Sequence, residues 1–232
     1  MAGFGIEFVW WRDTLGFEFI PAQPAVAGRK DLHQGFDFGA TTASAPERLI
    51  RRGGGLVPYR PLEEIDHLHV IFSKRAINNT GLLDFVQAFG PLTEPGLGIN
   101  RNIDGDMVNE CLTHAQTMRE LVDMDLEARR RYIQRIGHDG LSWSRISVRM
   151  SIDIGTGKPK LSLVPPNLLS ALWLSLGQSI INESTIRECP QCGEWFHVGP
   201  GTGRREDAKY CSDDHRIRHH SLKRSQKGAN HA

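Results

Sequence analysis

Leu168, Leu169, Ala171, Leu172, Leu174, Ile180 and Ile181 recur at helical steps behind Pro165-Pro166-Asn167, a helix-start signal. The pattern predicts a strongly apolar helix of about five turns that runs almost to Cys189. Upstream, Ile146, Val148, Met150 and Ile152 alternate with polar residues. Gly155-Thr156-Gly157 then turns the chain, and Leu161 and Leu163 alternate again. Period-two alternation on both sides of a glycine turn predicts a β-hairpin with one buried face. A long amphipathic helix is predicted from about Asp106 to Ile136, where Val108, Cys111, Ala115, Met118, Val122, Ile133 and Ile136 recur at three- and four-residue steps. Cys111 lies on that stripe and reads as a core thiol. Arg129-Arg130-Arg131 falls among its polar positions and reads as a solvated face.

Thr80 to Phe89 predicts a shorter helix, ended by Gly90-Pro91. Ile6 to Trp11 and Phe17 to Ile20 look like strands. Pro21 to Gly55, rich in Gly, Ala, Ser, Thr and Pro, reads as a long loop or insertion. His67-Leu68-His69 is expected to set both imidazoles on one side of a strand, in a structural role, since no acid or third ligand stands at metal spacing. Gly155-Thr156-Gly157-Lys158 is not a phosphate loop: the first glycine of that motif is missing, and Pro159 stands where Ser or Thr would bind magnesium.

Composition changes this picture little. The chain has 232 residues, 24% of them charged and 39% hydrophobic, enough for one core or one core plus a small module. A formal net charge of +1 gives no overall pull toward nucleic acid or membrane. No apolar run approaches a membrane span, and Met1 to Gly5 lacks the basic-then-apolar order of an export signal. With free cysteines in a metal-like pattern, this predicts a protein of the reducing cytoplasm.

The cysteines change it most. Cys189-Pro190-Gln191-Cys192 is followed, after eighteen residues, by Cys211-Ser212-Asp213-Asp214-His215. C-x2-C followed by C-x3-H supplies zinc with two ligand pairs for a tetrahedral site. Pro190 and Gly193 suit a tight knuckle around the first pair. Ser212-Asp213-Asp214 has the form of a helix start, with a cap followed by two acids where the dipole favours them. Two ligands from a knuckle and two from a helix N-terminus form a treble-clef-like layout, with Trp195, Phe196 and Tyr210 beside the metal. The fourth ligand has alternatives in His219 and His220, one turn on, and in His197. A redox pair at Cys189 and Cys192 competes with the metal reading, but such a pair normally opens a helix after a strand, whereas this one precedes aromatic loop sequence. Three cysteines and a histidine make a closed site, which disfavours a metal-dependent hydrolase. No Ser-His-Asp, Cys-His or paired-carboxylate arrangement can be assembled, so no catalytic residue is assigned.

From Arg216 onward the chain has five Lys or Arg residues, three His and no acid. On a helix begun at Ser212, the residues Arg216, His219, His220, Lys223 and Lys227 share one face, a candidate phosphate-contacting stripe. A solvated basic tail is the plainer alternative.

The motifs taken together resemble a known group. Tyr59-Arg60-Pro61-Leu62 leads to Phe85-Val86-Gln87-Ala88-Phe89-Gly90-Pro91-Leu92. After the middle helix and the hairpin come Asn167-Leu168-Leu169-Ser170-Ala171-Leu172-Trp173-Leu174, Cys189 to Phe196, and Tyr210-Cys211-Ser212. From about Tyr59 to Arg224 this is similar to bacterial proteins related to the CGNR zinc-finger (ABATE-like) family, in which a mostly helical domain precedes a C-x2-C…C-x3-C finger. The resemblance implies zinc binding and, beyond it, a nucleic-acid-binding regulator. Two positions depart from the pattern: His215 stands at the fourth cysteine, and Arg216-Ile217-Arg218 stands where the family's Gly-Asn-Arg belongs.

The resulting expectation is an α+β protein of three parts: residues 1–58, strands and a long loop; 59–184, a mainly helical domain with a β-hairpin; and 185–232, a treble-clef-like zinc finger with a basic helix. Zn2+ would be structural, held by Cys189, Cys192, Cys211 and His215. Arg216, Arg218, Lys223 and Arg224 would contact nucleic acid, DNA before RNA, as part of regulation, while the N-terminal domain senses a ligand or self-associates. In the alternative the finger is only a clasp in a protein-interaction or toxin–antitoxin-type module.

Overall fold

The computed structural model describes residues 5–22, 47–65, 67–93, 105–136, 146–152, 157–183, 185–199 and 202–229. The strands are β1 (Gly5–Ile6), β2 (Trp10–Asp13), β3 (Phe17–Ile20), β4 (Arg48–Arg51), β5 (Leu56–Tyr59), β6 (Asp106–Met107), β7 (Ser147–Ile152), β8 (Pro159–Val164), β9 (Thr185–Glu188) and β10 (Trp195–Val198). The helices are α1 (Pro61–Glu64), α2 (Leu68–Arg75), α3 (Asn79–Phe89), α4 (Val108–Asp123), α5 (Leu126–Ile136), α6 (Leu168–Ile181) and α7 (Asp213–Ala229). The architecture is therefore mixed: among the described residues, seven helices accompany four small sheets, ordered β1-β8-β7, β2-β5, β3-β4-β6 and β9-β10. All strand pairs are antiparallel except β1 with β8. No described helix is long and apolar enough to cross a membrane.

The main core gathers Leu68 and Phe72 of α2, Leu82, Phe85 and Val86 of α3, Val108, Ala115 and Met118 of α4, and Leu168 and Leu172 of α6, all fully buried. Each large apolar side chain buried this way stabilises the fold by about 1.5–3 kcal/mol. Trp10, Phe17 and Leu49 close this core from the strands. Cys111 lies in it, and burial pushes its thiol pKa far up, as suits a packed residue.

The helix starts follow local chemistry. Asn78 Oδ1 accepts from Gly81 N at 2.9 Å to open α3, and Asn167 Oδ1 accepts from Ser170 N at 2.8 Å to open α6. Gly90 ends α3 at φ 88°, where a Cβ would stand 2.1 Å from Trp11 O, so only glycine fits. Helix α6 stops at Ile181, about four turns rather than five.

The predicted Asp106–Ile136 helix is two helices. Met124 turns extended, and Asp125 Oδ1 accepts from Ala128 N at 2.7 Å to begin α5. Arg129 then reaches back: its Nε donates to Leu121 O at 2.5 Å and its Nη2 to Val122 O at 2.8 Å, pairing carbonyls that the end of α4 leaves open. Arg129 is buried, so the triple-arginine run is not uniformly solvated; Arg130 and Arg131 are exposed. The side chains of Ile133 and Ile136, expected to continue the apolar stripe, lie outside the described residues.

Three further expectations change. The stretch from Pro21 to Gly55 contains β4, which buries Leu49 and Ile50 and pairs with β3 and β6; residues 23–46 lie outside the description. Two apolar residues between arginines are too few to signal a strand, and the partners on both sides create it. The Ile6–Trp11 strand is two short ones, β1 and β2, in different sheets. His67 and His69 stand at the start of helix α2, not on a strand, and His69 is fully buried with Nδ1 2.9 Å from Ser175 Oγ.

The hairpin forms with Val148 opposite Leu163 and Met150 opposite Leu161. The turn residues Gly155 and Thr156 lie outside the described residues. Its apolar face, however, is not buried: Val148, Met150 and Ile152 are 62%, 77% and 69% exposed, while Ser162 on the opposite face is fully buried. Alternation fixes which residues share a face but not which face meets the body. Met150→Lys is accordingly expected to shift stability by no more than about 0.5 kcal/mol in urea unfolding. A loss above roughly 2 kcal/mol would mean that the face is covered.

Candidate metal centre

The chain leaves β9 at Glu188 and folds back within a few residues. Cys189 N donates to Glu194 O at 2.9 Å, and Gly193 N donates to Cys189 O at 2.8 Å. Gly193 takes φ 73°, as such a knuckle requires. β10 returns antiparallel, with Trp195 opposite Glu188 and Val198 opposite Thr185. The loop that follows is pinned where Thr202 Oγ1 donates to Gly199 O at 2.8 Å, and it delivers Cys211 to the start of α7. There Ser212 Oγ accepts from His215 N at 3.2 Å, which caps the helix and places His215 in its first turn.

These two turns bring one donor atom each from Cys189, Cys192, Cys211 and His215 within 4.8 Å of one another. Cys192 Sγ is 3.7 Å from Cys211 Sγ, and Cys189 Sγ is 3.9 Å from His215 Nδ1. Tetrahedral ligands at zinc–sulfur bond length stand about 3.8 Å apart, so the arrangement has the size of a metal site. Cys211 Sγ and His215 Nδ1 are closer, at 2.9 Å, a hydrogen-bonding distance. The set of three soft thiols and one imidazole suits a metal ion.

The electrostatics already favour one thiolate. Burial opposes ionisation of Cys189, but backbone N–H groups of Cys211, Gln191 and Cys192, together with His215, outweigh it and bring its pKa down to about 6. Burial and the neighbouring Cys189 and Cys192 sulfurs push Cys211 up to about 11. Sulfurs this close cannot share one cavity as several anions without a cation between them.

The alternative histidines lie elsewhere. The rings of His219 and His220 stand 5.4 and 5.9 Å from that of Tyr210, and His197 packs edge-on to His67 at 6.3 Å. Around the centre Cys189, Phe196 and Val198 form a small buried cluster, with Ala208, Tyr210 and Cys211 packed against them. Trp195, expected in that wall, instead lines a cleft of about 950 Å³ between the finger and the body, together with His69, Ser175 and Gln178.

The basic residues divide. Arg216 and Arg218 are both exposed on α7, but at 100° per residue they point about 200° apart. Lys223 and Arg224 lie further along the same helix, with side chains outside the described residues. Beside the four donors, a groove of about 600 Å³ is lined by Arg204, Arg205, Lys209 and Arg216. The loop cations were not picked out in the sequence because Glu206 and Asp207 interrupt them, leaving residues 204–209 with three cations against two acids. The chain matches no protein-family model, no curated protein and no solved structure.

Proposed function

We propose that this chain is a zinc-binding regulatory protein of the CGNR zinc-finger kind, with a treble-clef-like finger that contacts nucleic acid, DNA in the first place, in the reducing cytoplasm. The single observation behind this reading is that all four donor atoms converge on the first turn of a basic helix. Zinc bound there would tie the knuckle to α7 and fix the helix direction. Arg216 and Arg218, exposed near the start of that helix, would meet phosphates, with Lys223 and Arg224 further along it. Such contacts position the protein without reading sequence.

The test is binding of mixed-sequence DNA and RNA to the zinc-loaded protein across a salt series. Affinity is expected to fall at least about tenfold between roughly 50 and 200 mM salt, because each neutralised phosphate releases counterions. Binding that is absent, or flat across that range, overturns the reading. One observation favours the second reading, in which the finger is a clasp in a protein-interaction module: the exposed apolar face of Val148, Met150 and Ile152.

A further inference from the structure

We infer that the groove between residues 204–212 and the first turns of α7 accepts a single strand of nucleic acid, clamping phosphates between its two walls and stacking a base on Tyr210. The inference rests on the nucleic-acid reading above and specifies the form of its partner.

Shape is the first argument. A helix that reads duplex DNA is the convex part, inserted into a major groove about 12 Å wide. Here Arg216 lines a concavity together with Arg204, Arg205 and Lys209. A volume of about 600 Å³ is of nucleotide size and suits the entry of a single strand. Arg218 lies about 200° around α7 from Arg216 and is not part of the groove.

Charge is the second. Arg204, Arg205, Lys209 and Arg216 line the groove against two acids, Asp207 and Asp213. Each acid is tied to a cation of the groove: Arg205 Nε to Asp207 Oδ1 at 3.2 Å, and Arg216 Nη2 to Asp213 Oδ1 at 3.1 Å. These pairs are exposed and weakly held, so a phosphodiester can take over the guanidiniums. Arg204 is anchored over the Phe196 ring at 5.6 Å, which ties the loop wall to the finger core.

The third is the aromatic platform. Tyr210 is half-buried in the finger cluster and flanked by His219 and His220, so its ring is held in place before any ligand arrives, and both Tyr210 and His220 line the groove. A cationic groove that carries a fixed ring is how single strands are bound without sequence preference.

The test uses the zinc-loaded full chain and fluorescence anisotropy with one mixed-sequence oligonucleotide of about 20 nucleotides, single-stranded or annealed to its complement. The single strand is expected to bind at least about tenfold more tightly than the duplex. The double variant Arg205→Gln/Lys209→Gln, altered only at exposed positions, is expected to lose about tenfold on the single strand and to reduce the salt slope by about 1–2. Tyr210→Leu, checked for unchanged metal content, is expected to lose about tenfold by removing the stack. Equal or tighter binding of the duplex, or no loss on the loop variant, overturns the groove and leaves the nucleic-acid function standing. No salt-dependent binding of either form overturns both.

Discussion

Cys189→Ser is expected to abolish stoichiometric metal binding and to release the finger while the helical body stays folded. The two regions form separate apolar clusters, so the loss has no path through a shared core. Among the described residues the finger's buried apolar side chains are Phe196 and Val198 besides Cys189, which at about 1.5–3 kcal/mol per side chain cannot offset the chain entropy of ordering it. A structural zinc held there would contribute on the order of 10 kcal/mol and dominate that balance. Elemental analysis should therefore find about one equivalent in the wild type and little in the variant. Hydrogen exchange should show α7 and the 202–212 loop losing protection while α2, α3 and α4 keep theirs. Cys111→Ala is the control: it removes a thiol from the body and should leave metal content unchanged. Wild-type metal content in Cys189→Ser, or unchanged protection of α7, would sink the ligand assignment.

Asp106→Ala should do the converse, weakening the body and sparing the metal. Its carboxylate is almost fully buried and accepts from Leu92 N at 2.5 Å, Thr93 N at 2.8 Å and Thr93 Oγ1 at 2.6 Å. The segment it holds is a junction. Trp10 Nε1 donates to Pro91 O at 2.7 Å, and Leu169 N donates to Leu92 O at 2.8 Å, so β2, the end of α3 and the start of α6 all meet there. Leaving a buried donor unpaired costs about 1–3 kcal/mol, and alanine strands more than one. A total loss of about 3–5 kcal/mol is expected from the urea midpoint, a large share of the roughly 5–15 kcal/mol by which domains of ordinary size are stable. Asp106→Asn keeps one acceptor and should cost less. A loss under about 1 kcal/mol would show the junction to be held by other contacts. Loss of metal in parallel would show that finger and body do not fold as separate clusters.

What the sequence determined by itself is local. The knuckle at Cys189 and Cys192, the Cys211–His215 pair on a helix start, and the caps Asn78 and Asn167 all act within about four residues, where backbone geometry follows from residue type. The break at Asp125 belongs to the same class: its cap lies three residues before Ala128, and the apolar period simply carried the eye across it. Tertiary structure decided everything that depends on what stands opposite. Alternation paired Val148 with Met150 and Ile152, but the body chose to cover the Ser162 face instead. Leu49 and Ile50 became a strand because β3 and β6 flank them, and Arg129 is buried because the open end of α4 needs donors. The groove is of this second kind. Arg205 and Lys209 are separated from Arg216 along the chain by Cys211, and they line one groove only where the knuckle and the helix start converge. Spacing along the chain specifies a ligand set because four donors need only reach one point. A binding surface needs two walls held at a distance, and that is set by the fold.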